Sequence, residues 1–142
     1  MNGWLDQITE IMNKVAKDVN LPEVRGMFEG DSWIWTWRQW GEQVAEAIAR
    51  IRPDVFGDGI EIGVSAGAWM PTKRHIAAGR TYYIKYIELK QIPYMQDSLT
   101  AELTNALRQA WQGAKEMAPR LHEVEQARSE LMSKLRAMDL LK

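Results

Sequence analysis

One apolar stripe constrains this chain more than anything else in it. Leu103, Leu107, Ala110, Ala114, Met117, Leu121, Val124, Arg128, Leu131, Leu135 and Met138 recur in alternating steps of four and three. That spacing lines side chains along one seam of a helix. Arg128 alone in the seam is polar. Asp97 or Ser98 is placed to cap the helix, and Glu102 suits its first turn. Glu116–Arg120 and Glu130–Lys134 are favourably oriented pairs on its surface. Pro119 interrupts the run, and an internal proline costs about 3 kcal/mol and kinks a helix. The seam keeps its phase across Pro119, and the flanking residues include no Gly, Asn, Asp or Ser. The spacing therefore predicts one bent helix, not a helical hairpin. About 42 residues at about 1.5 Å each would reach about 60 Å. A single domain of this length has a radius of gyration near ~15 Å. The far end should overhang, and its stripe then needs a partner. A homodimer through the 103–138 seam is the expected cover.

The 142 residues carry 46% hydrophobic side chains, enough for one domain with a real core. No cysteine is present. Disulfides, thiolate nucleophiles and cysteine-ligated metals are excluded, and a reducing, cytoplasmic setting is expected. No apolar run is long enough to span a bilayer, so no membrane role is expected. The formal net charge of −1 argues against wholesale phosphate binding. The charge is uneven, however. Residues 1–64 hold 11 acidic and 6 basic residues, whereas residues 65–90 hold Lys73, Arg74, Arg80, Lys85 and Lys90 against Glu88 alone.

Trp4, Leu5, Ile8, Ile11, Met12, Val15 and Val19 mark an amphipathic first helix, with Asn2 as cap and Leu21-Pro22 as stop. Trp33, Trp37, Trp40, Val44, Ala47, Ile48 and Ile51 fit the helical period, while only Trp33, Trp35 and Trp37 fit a strand. The larger set predicts a helix over Ser32–Ile51. Trp35 would then stand on its polar face beside Gln39, Glu42 and Glu46. Alternation from Ile60 to Ser65 predicts a strand, and Arg80 to Lys90 a second, with Ala66–Gly79 as the basic loop between them. The expected fold is α+β: N-terminal helices packed on an antiparallel β-hairpin, followed by a long kinked C-terminal helix. Residues 1–96 would form the head and 97–142 the dimerisation or bundle helix.

Little in the sequence promises catalysis. His75 and His122 lack any zinc-binding spacing, and Ser65 has no evident base or acid beside it. One constellation is more suggestive. Pro53-Asp54 and Glu88-Leu89-Lys90 resemble the PD-(D/E)xK signature of restriction-endonuclease-like nucleases. The resemblance implies that Asp54 and Glu88 hold Mg²⁺ while Lys90 steadies the attacking water. Glu42 or Glu46 would match a further acidic residue of that family. Pairing Asp54 with Lys90 centres the hairpin at residue 72, beside Pro71.

A winged-helix-like DNA binder would instead place Lys73, Arg74 and Arg80 on phosphates. A third option is a small-molecule pocket lined by the tryptophans and tyrosines, with Glu61 facing a cation. The sequence favours none of these three over a simpler reading. That reading is a non-enzymatic oligomeric binding protein without a cofactor. It touches a protein or nucleic-acid partner through Trp35 and the basic loop residues Lys73, Arg74, His75 and Arg80. An exposed Trp on a polar face reads as a contact anchor.

Overall fold

The computed structural model of the protein describes residues 3–140. Helix α1 spans Gly3–Asp18, and five strands follow: β1 Met27–Glu29, β2 Ser32–Gln39, β3 Val44–Pro53, β4 Gly59–Met70 and β5 Lys73–Glu88. Helices α2, Gln96–Met117, and α3, Leu121–Leu140, complete the chain. The strands form one antiparallel sheet in sequence order. The fold is α+β, with the expected hairpin grown into a five-strand meander.

Helix α1 buries Ile8, Ile11, Met12, Val15 and Ala16, the face its periodicity marks. It stops one step before Leu21-Pro22. Asn20 takes a left-handed φ of 62°, its N–H bonds the Lys17 carbonyl, and the Leu21 N–H bonds Ala16. This doubly bonded C-terminus satisfies carbonyls the helix leaves orphaned. The Asn2 cap lies outside the described residues.

The helix expected over Ser32–Ile51 is replaced by β2 and β3, joined by the turn Trp40-Gly41-Glu42-Gln43. The ladder sets Trp33 opposite Ile51, Trp35 opposite Ala49 and Trp37 opposite Ala47. Bulky indoles need small neighbours on the next strand, and β3 supplies alanines opposite Trp35 and Trp37. The Trp37 indole N–H also donates to the Pro22 carbonyl at 2.8 Å. Tertiary pairing thus overrides the helical preference of an alanine-rich segment.

The β4–β5 hairpin turns at Pro71-Thr72, where expected, but its strands are much longer than predicted. Ala66–Met70 and Lys73–Gly79 belong to the ladder, not to a loop. Their Ala and Gly content has weak strand preference, and pairing supplies what propensity lacks. Two bulges interrupt β5, one at Tyr82 and a wider one over Arg74-His75-Ile76. Bulges re-aim side chains. At the first, Tyr82 turns toward α2 and its hydroxyl rests on Gly113, so a Cβ there would overlap it. At the second, Ile76 joins Ala68 and Leu121 in a small buried cluster.

Both α1 and α2 cover one face of the sheet. Leu99, Leu103, Leu107, Ala110 and Ala114 of α2 share a single core with Trp35, Ile51, Ile60, Ile62 and Val64. The core therefore does not end at residue 96. Helix α2 begins at Gln96 without a side-chain cap; Asp97 lies in its first turn and Ser98 bonds the Met95 carbonyl. Pro119 sits in a short 3₁₀ turn, Ala118–Arg120, and Met117, Ala118 and Leu121 all keep right-handed helical dihedrals. The helix bends and does not reverse, as the seam phase predicts.

The seam itself divides in two. Its positions from Leu103 to Val124 are buried or half-buried against the chain's own body, so they are not open to a second molecule. From Gln126 to Leu140 every residue is exposed. Of the 103–138 seam, only the last four positions, Arg128, Leu131, Leu135 and Met138, are exposed. Among the described residues no helix is long and apolar enough to cross a membrane.

Candidate binding surfaces

An antiparallel sheet with helices on one side presents the other to solvent. Register fixes what lies there. Thr36, Ile48, Ser65 and Thr81 form one row, and Ile34, Arg50, Gly63 and Ile84 the next. A further row, Arg38, Glu46, Gly67 and Gly79, leads to Val44 and Trp69 at the sheet's end.

At that end the Trp40 and Trp69 rings meet edge to face with centroids 5.4 Å apart. The Arg74 guanidinium lies 5.2 Å from the Trp69 ring, and Arg38 lies 6.0 Å from Trp40. Arg38 Nε also donates to Glu46 Oε1 at 2.7 Å. Trp40 is 63% exposed, whereas Trp35 is 1% exposed. The expected contact anchor Trp35 is thus a core residue: the odd-numbered indoles of β2 face the helices. Trp40 breaks the odd-number alternation just before Gly41, the signal that should have marked it as facing the other way.

The five cations of residues 65–90 have distinct fates. Lys73 pairs with Glu125 at 3.0 Å, Lys85 with Glu102 at 3.0 Å and Lys90 with Glu88 at 3.3 Å. Arg74 and Arg80 instead stack on Trp69 and Tyr82. His75 is exposed beside them. The basic segment is therefore partly neutralised, and Arg74 and Arg80 are its cations without an ion pair among the described residues.

The Lys85 pair belongs to a clamp between sheet and helix. Tyr83 donates to Glu102 Oε1 at 2.8 Å, and Lys85 reaches both Glu102 oxygens. The Tyr83 hydroxyl and then Lys85 hold the Glu102 carboxyl below its ordinary range. Burial, followed by the same carboxylate, pushes the Tyr83 phenol up.

The residues of the nuclease signature lie at the opposite end of the sheet. Asp54 sits in the β3–β4 turn, where its N–H bonds the Gly59 carbonyl. Glu88 ends β5 opposite Gly59, and Lys90 lies beyond the strand in the 3₁₀ turn Leu89–Tyr94. The strand expected to run to Lys90 thus ends at Glu88, so the two do not share a strand face, although they still form an ion pair. Glu46 is eight strand residues from Asp54, about 25 Å at ~3.3 Å per residue. Asp54, Asp58 and Glu88 surround the Tyr86 hydroxyl, whose pKa rises through desolvation and then their charge. Among the described residues no three His, Asp or Glu side chains stand ready for a metal.

Gly63-Val64-Ser65-Ala66-Gly67 has the glycine–serine–glycine spacing of a nucleophile elbow. That chemistry needs a sharp strand-to-helix turn, and here the five residues run straight through β4. The winged-helix arrangement likewise loses the helix it requires before the hairpin, since β2 and β3 stand in that place.

On the projecting part of α3, Leu131, Leu135 and Met138 are 56%, 49% and 61% exposed. They keep the seam spacing, and none of them belongs to a core cluster among the described residues. No protein-family model, curated protein or solved structure matches the chain.

Proposed function

We propose that the protein is a non-enzymatic, self-associating binding protein. The outer half of α3 joins two copies, and the Trp40–Arg74 end of the open sheet face is the contact surface each copy presents. The observation that carries this reading is the run Gln126–Leu140, exposed throughout yet apolar at Leu131, Leu135 and Met138. A second copy is the occupant this stripe suits. Its heptad spacing matches a like helix. Its charges, Arg128, Glu130, Lys134, Arg136 and Asp139, are mixed in sign and nearly balanced, so two copies meet without bulk repulsion. We place the protein in the cytoplasm, a compartment that suits a chain without cysteine.

Sedimentation equilibrium of the full chain tests the assembly. Average mass should climb from 16.4 kDa toward twice that value as concentration rises. A constant monomer mass would refute it.

A further inference from the structure

We infer that the open face of the sheet binds single-stranded nucleic acid, with the exposed Trp40 ring stacking a base and the neighbouring arginines taking phosphates. This rests on reading that end as the contact surface, though not on the assembly through α3.

Four observations carry it. First, the face is an open antiparallel platform with the Trp40 ring, 63% exposed and braced edge to face by Trp69, at its end; unpaired bases stack on such rings. Second, every cation on this face is an arginine: Arg38, Arg50, Arg52 and Arg74. The lysines of the same strands, Lys73 and Lys85, are engaged by helix carboxylates instead. Arginine is the residue suited to both planar phosphate recognition and stacking. Third, Arg50 and Arg74 have no carboxylate within ion-pair distance among the described residues, and Arg38 meets Glu46 through Nε alone. The half of the face from Arg50 to Trp69 therefore holds three arginines against Glu46. Fourth, the floor beside them is low. Gly63, Ser65, Gly67, Gly79 and Thr81 alternate along β4 and β5, and a trough of about 480 Å³ opens between Ile34, Ile48, Arg50 and Ile84. Glu29 and Asp31 also line that trough, so the phosphates are drawn to the Arg38–Arg74 half of the face.

Size and charge favour a single strand over a duplex. Six strand residues separate Val44 from Arg50, about 20 Å at ~3.3 Å each, room for about five stacked nucleotides. Duplex binding draws on many phosphate contacts, and two or three arginines in a chain of net charge −1 supply few. Stacking must provide the rest, and a duplex hides its base faces.

The test is fluorescence anisotropy of labelled 12-nucleotide single strands, RNA and DNA, titrated with the full chain at low salt. Saturable binding is expected, weakened about tenfold to a hundredfold by Trp40→Ala. Arg74→Ala should lower the salt dependence of log K by about 0.7. The inference fails if no single strand binds at about 100 μM protein. It also fails if Trp40→Ala binds equally well, or if a duplex of the same sequence binds as tightly. Binding to anionic lipid vesicles in place of the oligonucleotide would likewise overturn it. A Leu131→Asp plus Leu135→Asp chain is titrated alongside. Retained binding by that chain supports the inference whatever its mass; lost binding with Trp40 intact moves the site to α3 and overturns it. If the wild type assembles without binding any strand, the partner class falls and the assembly stands.

Discussion

Replacing Leu131 and Leu135 by aspartate removes the centre of the exposed stripe without touching the core. Full burial of a leucine is worth about 1.5–3 kcal/mol. About half of each side chain is exposed on α3, so a companion helix recovers about 1 kcal/mol per leucine. A symmetric dimer contains four, about 4 kcal/mol in all. At about 1.4 kcal/mol per tenfold, the dissociation constant should rise about a thousandfold. Desolvating the new carboxylates adds to that. A dimer of micromolar affinity would become monomeric throughout about 2–20 μM, a range sedimentation equilibrium covers. Because both positions are exposed, the melting transition should move little, as for other surface substitutions. Far-UV circular dichroism and thermal unfolding check this. A double variant with wild-type mass and wild-type fold would refute the reasoning.

The two tryptophans exchanged between surface and core should differ sharply in unfolding experiments. Trp35→Ala should cost about 3–5 kcal/mol, while Trp40→Ala should stay within about 0.5 kcal/mol. Trp35→Phe should cost less than Trp35→Ala, because it keeps most of the buried aromatic volume; both remove a buried indole N–H that has no partner among the described residues. Glu102 has a lowered pKa in the folded state, so its contribution is present above the ordinary value of about 4.3 and is lost as pH falls through the folded value. Glu102→Gln should therefore flatten the acid limb of melting temperature against pH. Tyr83 shifts the other way. Its contribution is present below about pH 10 and is lost as pH rises through the raised value, so Tyr83→Phe should flatten the alkaline limb. Gly113→Ala pits two effects against each other. Helix preference alone would stabilise by up to about 1 kcal/mol, but the added carbon overlaps the Tyr82 hydroxyl. We expect a lower melting temperature, regained when Tyr82→Ala is combined with it.

The helices were legible because each has a strong period and a core face with few polar interruptions. The bend at Pro119 was legible too, from phase alone. The middle of the chain was not. Ala45, Ala47 and Ala49 form the inner face of β3, and alanine is a weak marker of which side is buried. Ile48 on the open face then completed a false helical stripe. The length of the β4–β5 hairpin was hidden because Ala and Gly carry no strand signal of their own. The proposed contact surface was half visible: its basic residues stood out, but the ion pairs of Lys73 to Glu125 and Lys85 to Glu102 depend on where α2 and α3 dock. A helical period puts Trp35 on a polar face, whereas the two-residue alternation of β2 buries it and leaves Trp40 exposed.

The wide bulge in β5 ties two surfaces to one piece of backbone. Ile76 seats the root of the tail helix against Leu121, while Arg74, two residues earlier, crosses to the opposite side and lies over Trp69. Regular alternation would have sent both side chains the same way. A tug on the tail and a load on the guanidinium therefore converge on the same three peptide units. The handle by which two molecules would hold one another and the edge of the platform they would offer to a third share a common tether.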